Sequence, residues 1–90
     1  MTRFRLEVRV TPRPGLLDPE GKAIHHTLKA LGWEGVDDVR VGRAIYVDLA
    51  AETADAAVEA GEAMCRKILA NPVTEEFEVV VLTQTEGVEA

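Results

Sequence analysis

Ninety residues with a net charge of −6, 47% of them hydrophobic and only 4% aromatic, make one small domain and are too few for two. A chain of this size buries a modest core and is commonly helped by oligomerisation. The acidic balance excludes a nucleic-acid binder, which needs a basic face for phosphates, and the single cysteine, Cys65, excludes an internal disulfide or a multi-cysteine metal motif.

The charge is uneven: residues 1–43 carry +2 and residues 44–90 carry −8. No apolar run follows a basic start, so no secretory signal is expected. No apolar stretch approaches the roughly 18 residues of a membrane span. The expected location is the cytoplasm.

Residues 3–11 alternate. Phe4, Leu6, Val8 and Val10 share one face, and Arg3, Arg5, Glu7 and Arg9 share the other. A period of two predicts a half-buried strand. Thr11 to Gly15, with two prolines, predicts a loop.

The stretch Leu16 to Ala23 spells a helix start. Asp18 suits the N-cap, Pro19 the first helical position, and Glu20 the positive end of the helix dipole. Gly21 is unfavourable so early in a helix by about 1 kcal/mol against alanine. It therefore predicts close packing against another backbone. The helix is expected over about Pro19 to Leu31, with Ile24, Leu28 and Leu31 on one face and Gly32 as its C-terminal cap.

Val36 to Leu49 reads as two strands, Val39 and Val41 alternating first, then Ile45, Val47 and Leu49. Gly42-Arg43 suits a two-residue hairpin between them; a single strand with a bulge at Gly42 is the alternative. Thr53 caps a second helix ending near Ala70. Its expected core stripe is Ala57, Gly61, Met64 and Ile68, flanked by Cys65 and Leu69. Asn71-Pro72 stops it.

The last strand is expected over about Glu76 to Thr83. Phe77, Val79 and Val81 form one face, and Glu78, Val80 and Leu82 the other. Val80 and Leu82 would then be apolar on a face that should be wet. They predict cover from a loop or another subunit, and they are the candidate oligomer contacts.

The order βαββαβ predicts an α+β domain over residues 1–85: a four-stranded antiparallel sheet with both helices packed on one face. Residues 86–90 are expected to fray.

Chemistry-bearing clusters are few. His25 and His26 are adjacent, so they diverge by about 100° on a helix and suit no shared metal. Cys65 has no base beside it in the pattern and reads as a buried thiol. Asp37-Asp38 and Glu75-Glu76 read as solvated surface. Arg40 and Arg43 make a small basic cluster beside a turn, fit for a carboxylate or phosphate. A heavy-metal carrier would need Cys-x-x-Cys, and an RNA-binding module aromatics on its central strands. An acylphosphatase-like enzyme would need a glycine-rich anion loop after the first strand. None of these is present. The residues describe a small non-catalytic domain, with no metal site, that acts by association. The alternative is a regulatory module of similar topology that binds a small molecule between sheets.

Four motifs in order resemble one family. They are Leu17-Asp18-Pro19-Glu20-Gly21-Lys22-Ala23-Ile24, Leu31-Gly32, Val39-Arg40-Val41-Gly42-Arg43, and Cys65-Arg66-Lys67-Ile68-Leu69-Ala70-Asn71-Pro72-Val73. The chain is similar over about residues 3–83 to PurS, the small subunits of phosphoribosylformylglycinamidine synthase. The resemblance implies a subunit without catalytic residues or cofactor of its own. It would dimerise or form higher oligomers and bridge a large PurL-like synthetase, which uses ATP and Mg, to a PurQ-like glutaminase. It implies an aid to ammonia transfer in de novo purine synthesis. Lys22, Arg40, Arg43 and Asn71, the polar residues inside the matched motifs, are the candidate partner contacts. The chain departs from the family at Phe77, where a tyrosine is typical, and at Trp33, where tyrosine or phenylalanine is.

Overall fold

A computed structural model describes residues 1–15 and 18–86, so Leu16 and Leu17 of the predicted helix start and residues 87–90 of the predicted tail lie outside it. Three strands form one antiparallel sheet in the order β2-β1-β3: β1 (Thr2–Pro12), β2 (Arg43–Ala51) and β3 (Glu75–Glu86). The alternating strand takes the centre, because only there can a full apolar row be covered by neighbours on both sides. Phe4, Leu6, Val8 and Val10 are all buried. Leu6 faces Val47 and Val81, and Val8 faces Ile45 and Val79.

Helix α2 (Ala54–Met64) lies across this row. Thr53 caps it by accepting the Ala56 N–H at 3.0 Å. Gly61 permits the close approach. A Cβ there would press on Leu6 Cδ1 at 2.9 Å and Val79 Cγ1 at 3.1 Å. The helix then widens into a π-helical turn, Cys65–Leu69, closed by the Ala70 N–H donating to Cys65 O at 3.1 Å. The wider turn shifts the expected stripe. Ala57, Gly61, Cys65 and Ala70 are buried, whereas Ile68, expected in the core, is 79% exposed. A regular helix would have carried Ile68 inward with Gly61 and Met64; the extra residue in the turn rotates it outward.

The expected four-stranded sheet is replaced by three strands, and the Gly42-Arg43 hairpin does not form. Residues 36–42 lie outside the sheet, and two of their backbone groups bond side chains of helix α1 (Pro19–Ala30) and its N-cap instead. Asp18 Oδ2 accepts the Val41 N–H at 2.9 Å, and the His25 ring lies 2.9 Å from Val36 O. Gly21 leaves room for Val39 O, which a Cβ would strike, so the close backbone packing expected at this glycine is present. Gly42 passes hard against Val10 O, and β2 begins at the next residue.

The two helices do not share a face of the sheet. Only α2 packs on it; α1 stands away, held by the 36–41 segment. Ile24 and Leu31 of its apolar stripe are exposed, and Gly32, at φ 110°, ends it as expected. The result is elongated, 52 × 27 × 17 Å, with a radius of gyration of 16.9 Å. A compact chain of this length would have about 12 Å. Among the described residues no helix is long and apolar enough to cross a membrane.

Candidate interaction site

The four polar residues singled out in the sequence fall into two neighbouring groups. Lys22 and Arg40 line an open cleft of about 550 Å³ between the end of β1, the start of α1 and the 38–40 segment. Asp18 organises its floor. One oxygen accepts the Gly21 N–H at 3.1 Å and the other the Val41 N–H at 2.9 Å. The Val41 and Gly21 donors hold its carboxyl below the ordinary carboxylate value. Arg40 donates from Nη1 to Pro12 O at 2.9 Å, closing the cleft against the strand end.

Arg43 and Asn71 belong to a second group, a clasp where the π turn, β2 and β3 meet. Arg43 donates to both oxygens of Glu75, at 2.6 and 3.1 Å, and to Leu69 O at 2.7 Å. Glu75 also accepts the Asn71 N–H at 2.8 Å. The Arg43 guanidinium, then the Asn71 N–H, lower the Glu75 pKa, and Glu75 raises that of Arg43. Asn71 folds its own loop: Oδ1 accepts the Val73 N–H at 3.0 Å, and its carbonyl accepts from Thr74 and Glu75.

Arg13 joins the two groups, and the sequence reading passed over it. It lines the cleft, and its guanidinium donates twice to Pro72 O, at 3.2 and 2.7 Å. Glu75, read as solvated surface, is instead the centre of the clasp. Its signal was its spacing, four residues after the asparagine that follows the helix, which lets its side chain return to the Asn71 N–H.

Val80 and Leu82 lie elsewhere, on β3. Val80 faces Glu7 across the outer face and is half-buried. Leu82 sits at the irregularity where β3 slips against Arg5 and Leu6, and is 44% exposed. A charged ladder occupies the rest of this face. Arg5 pairs with Asp48 at 2.7 Å, and Glu7 accepts from Arg9 at 2.7 Å and from the Tyr46 hydroxyl at 2.8 Å.

Cys65 is fully buried against Val8 and Val10, and burial raises its pKa, as expected of a thiol that packs. His25 holds the 36–41 segment to α1. Among the described residues no three or more His, Cys, Asp or Glu come together to hold a metal ion. What cleft, clasp and outer face offer is directed hydrogen bonding, charge and apolar contact.

A family model described as PurS, phosphoribosylformylglycinamidine (FGAM) synthase, matches residues 5–83. The chain is 39% identical over 83 residues to the phosphoribosylformylglycinamidine synthase subunit PurS of Synechocystis, covering 88% of this chain and 81% of that one. Its fold matches a chain in the structure of PurLQS from Thermotoga maritima at a TM-score of 0.80 and 33% identity, covering 91% of this chain and 100% of that one. The crystal structure of the purS subunit from Thermotoga maritima matches at 0.79 and 32% identity, covering 89% and 92%.

Proposed function

Because this chain belongs to the PurS family of phosphoribosylformylglycinamidine synthase, we propose that it is the small bridging subunit of that synthase in purine biosynthesis. It docks the glutaminase subunit to the ATP-dependent synthetase subunit in the cytoplasm and aids the passage of ammonia between them. It contributes no catalytic residue and binds no cofactor of its own; ATP and Mg belong to the synthetase partner.

One observation carries this reading: the fold corresponds to the full length of a chain in the PurLQS assembly. The architecture supports it. A chain that leaves α1 off the sheet, with Ile24 and Leu31 in water, has surface made to be covered. Self-association into a dimer or larger oligomer belongs to the same reading. Lys22, Arg40 and Arg13 in the cleft, and Val80 and Leu82 on β3, are the proposed contacts.

Purified chain mixed with the synthetase and glutaminase subunits is expected to co-elute with them and to raise glutamine-dependent turnover. Equal glutamine-dependent turnover without this chain overturns the reading. The cleft favours a small-molecule-binding module instead. Saturable heat on calorimetric titration with amino acids or nucleotides, in the absence of the other subunits, would establish that alternative.

A further inference from the structure

Three cations line the cleft beside α1, and no carboxylate pairs with any of them among the described residues. Arg5, Arg9 and Arg43 behave differently: each meets a carboxylate, on Asp48, Glu7 and Glu75. Arg13 and Arg40 are instead anchored by backbone carbonyls. Arg13 donates Nε and Nη2 to Pro72 O, and Arg40 donates Nη1 to Pro12 O. A guanidinium carries more N–H donors than these bonds use. Each arginine is thus positioned without being neutralised. Lys22, in the first turn of α1, adds a third cation whose backbone is fixed by its N–H bond to Asp18 O at 2.9 Å.

Two carboxylates share the cleft, Asp18 and Asp38. Asp18 gives one oxygen to the Gly21 N–H and the other to the Val41 N–H. Asp38 forms no ion pair among the described residues, so it is the carboxylate left to compete for the cations. The lining is net positive, on a chain whose total is −6.

We infer that this cleft is a binding site for a phosphate group, on free phosphate or on a small phosphate monoester. Cations on separate elements, the end of β1, the start of α1 and the 38–40 segment, converge on one opening. A tetrahedral phosphate has acceptor oxygens on every side and meets such a set; a carboxylate offers its oxygens in a single plane. The arginines suit forked contacts and Lys22 a point charge. At about 550 Å³ the cleft has room for an organic group beside the phosphate, against Pro12, Pro14 and Val39. The site goes beyond the bridging role and does not depend on it.

The test titrates the full chain with inorganic phosphate at constant ionic strength and follows backbone amide shifts. Saturable shifts are expected at Gly15, Lys22 and Arg40, around the cleft. Lys22→Gln should weaken binding about fivefold. Asp38→Asn should tighten it about threefold, because a competing charge is removed. Arg3→Gln, the same loss of charge on the outer face of the sheet, should leave it unchanged. Thermal melts of the variants check that the fold is intact. Glycerol 3-phosphate binding more tightly than phosphate assigns the ligand as a monoester, and equal binding assigns it as free phosphate. Malonate binding as tightly as phosphate overturns the assignment to phosphate. Shifts that do not saturate, or equal weakening by Lys22→Gln and Arg3→Gln, overturn the site. Either result leaves the bridging role standing, because that role is read from turnover with the larger subunits.

Discussion

Arg43 and Glu75 lock the first residues of the two outer strands together through paired hydrogen bonds of 2.6 and 3.1 Å. Strands β2 and β3 flank β1 without touching each other along the sheet, so this pair fastens their ends. The same arginine caps Leu69 O, and the same glutamate caps the Asn71 N–H. One ion pair thus fixes where the π turn stops and β3 begins.

Arg43→Ala should lower stability by about 1 kcal/mol, the upper end for a partly exposed pair because the contact is bidentate. The pH dependence has a definite sign. Glu75 is held below its ordinary pKa in the fold, chiefly by Arg43. Its contribution is present above the unfolded carboxylate value and is lost as pH falls through the folded one. Wild type should therefore lose more stability than Arg43→Ala between about pH 5 and pH 3, a range set by ordinary carboxylate values. Urea melts across that range measure the difference; parallel curves would remove the pair from the account.

Gly21→Ala should destabilise, although alanine is the better helix former by about 1 kcal/mol. The new Cβ would strike Val39 O and the Asp18 carboxylate, the contacts that hold the 36–41 segment to α1. Overpacking of this kind costs about 1–3 kcal/mol. A thermal melt at or above that of wild type would mean the segment can retreat without loss.

Leu82→Glu should shift the sedimentation profile toward monomer, since a fully buried leucine contributes on the order of 1.5–3 kcal/mol to a contact. Leu82 suits this test better than Val80. It is 44% exposed at the strand irregularity, whereas Val80→Glu would also place a second carboxylate opposite Glu7. An unchanged profile would show that this end of β3 is not an oligomer contact.

Cys65 should resist a thiol reagent in the folded chain and react only as the chain unfolds. It is fully buried, and burial disfavours the thiolate that reacts. Labelling rates followed through a urea series should track the unfolded fraction. Rapid labelling in native buffer would place the thiol at the surface.

The sequence by itself determined the pieces whose signals are local. The alternation of Phe4, Leu6, Val8 and Val10 marked the strand that fills the centre of the sheet. Asp18, Pro19 and Gly32 marked the ends of α1, and Gly21 marked a close backbone approach before its partner was known. The ordered motifs marked the family, and the cationic positions Lys22, Arg40 and Arg43 lie at the cleft and the clasp.

Only the tertiary structure decided how those pieces share their backbone hydrogen bonds. Val39 and Val41 alternate like a strand, but an N–H has one proton to donate, and that of Val41 goes to Asp18. Three strands result, and α1 stands with residues 36–41 instead of on the sheet. Ile68 has the spacing of a core residue in an α-helix; the π-helical turn, closed by the Ala70 N–H on Cys65 O, turns it to water. Periodicity reports what a residue would do in a regular element. Which donor meets which acceptor across 23 residues from Asp18 to Val41, or 32 from Arg43 to Glu75, is settled by the fold.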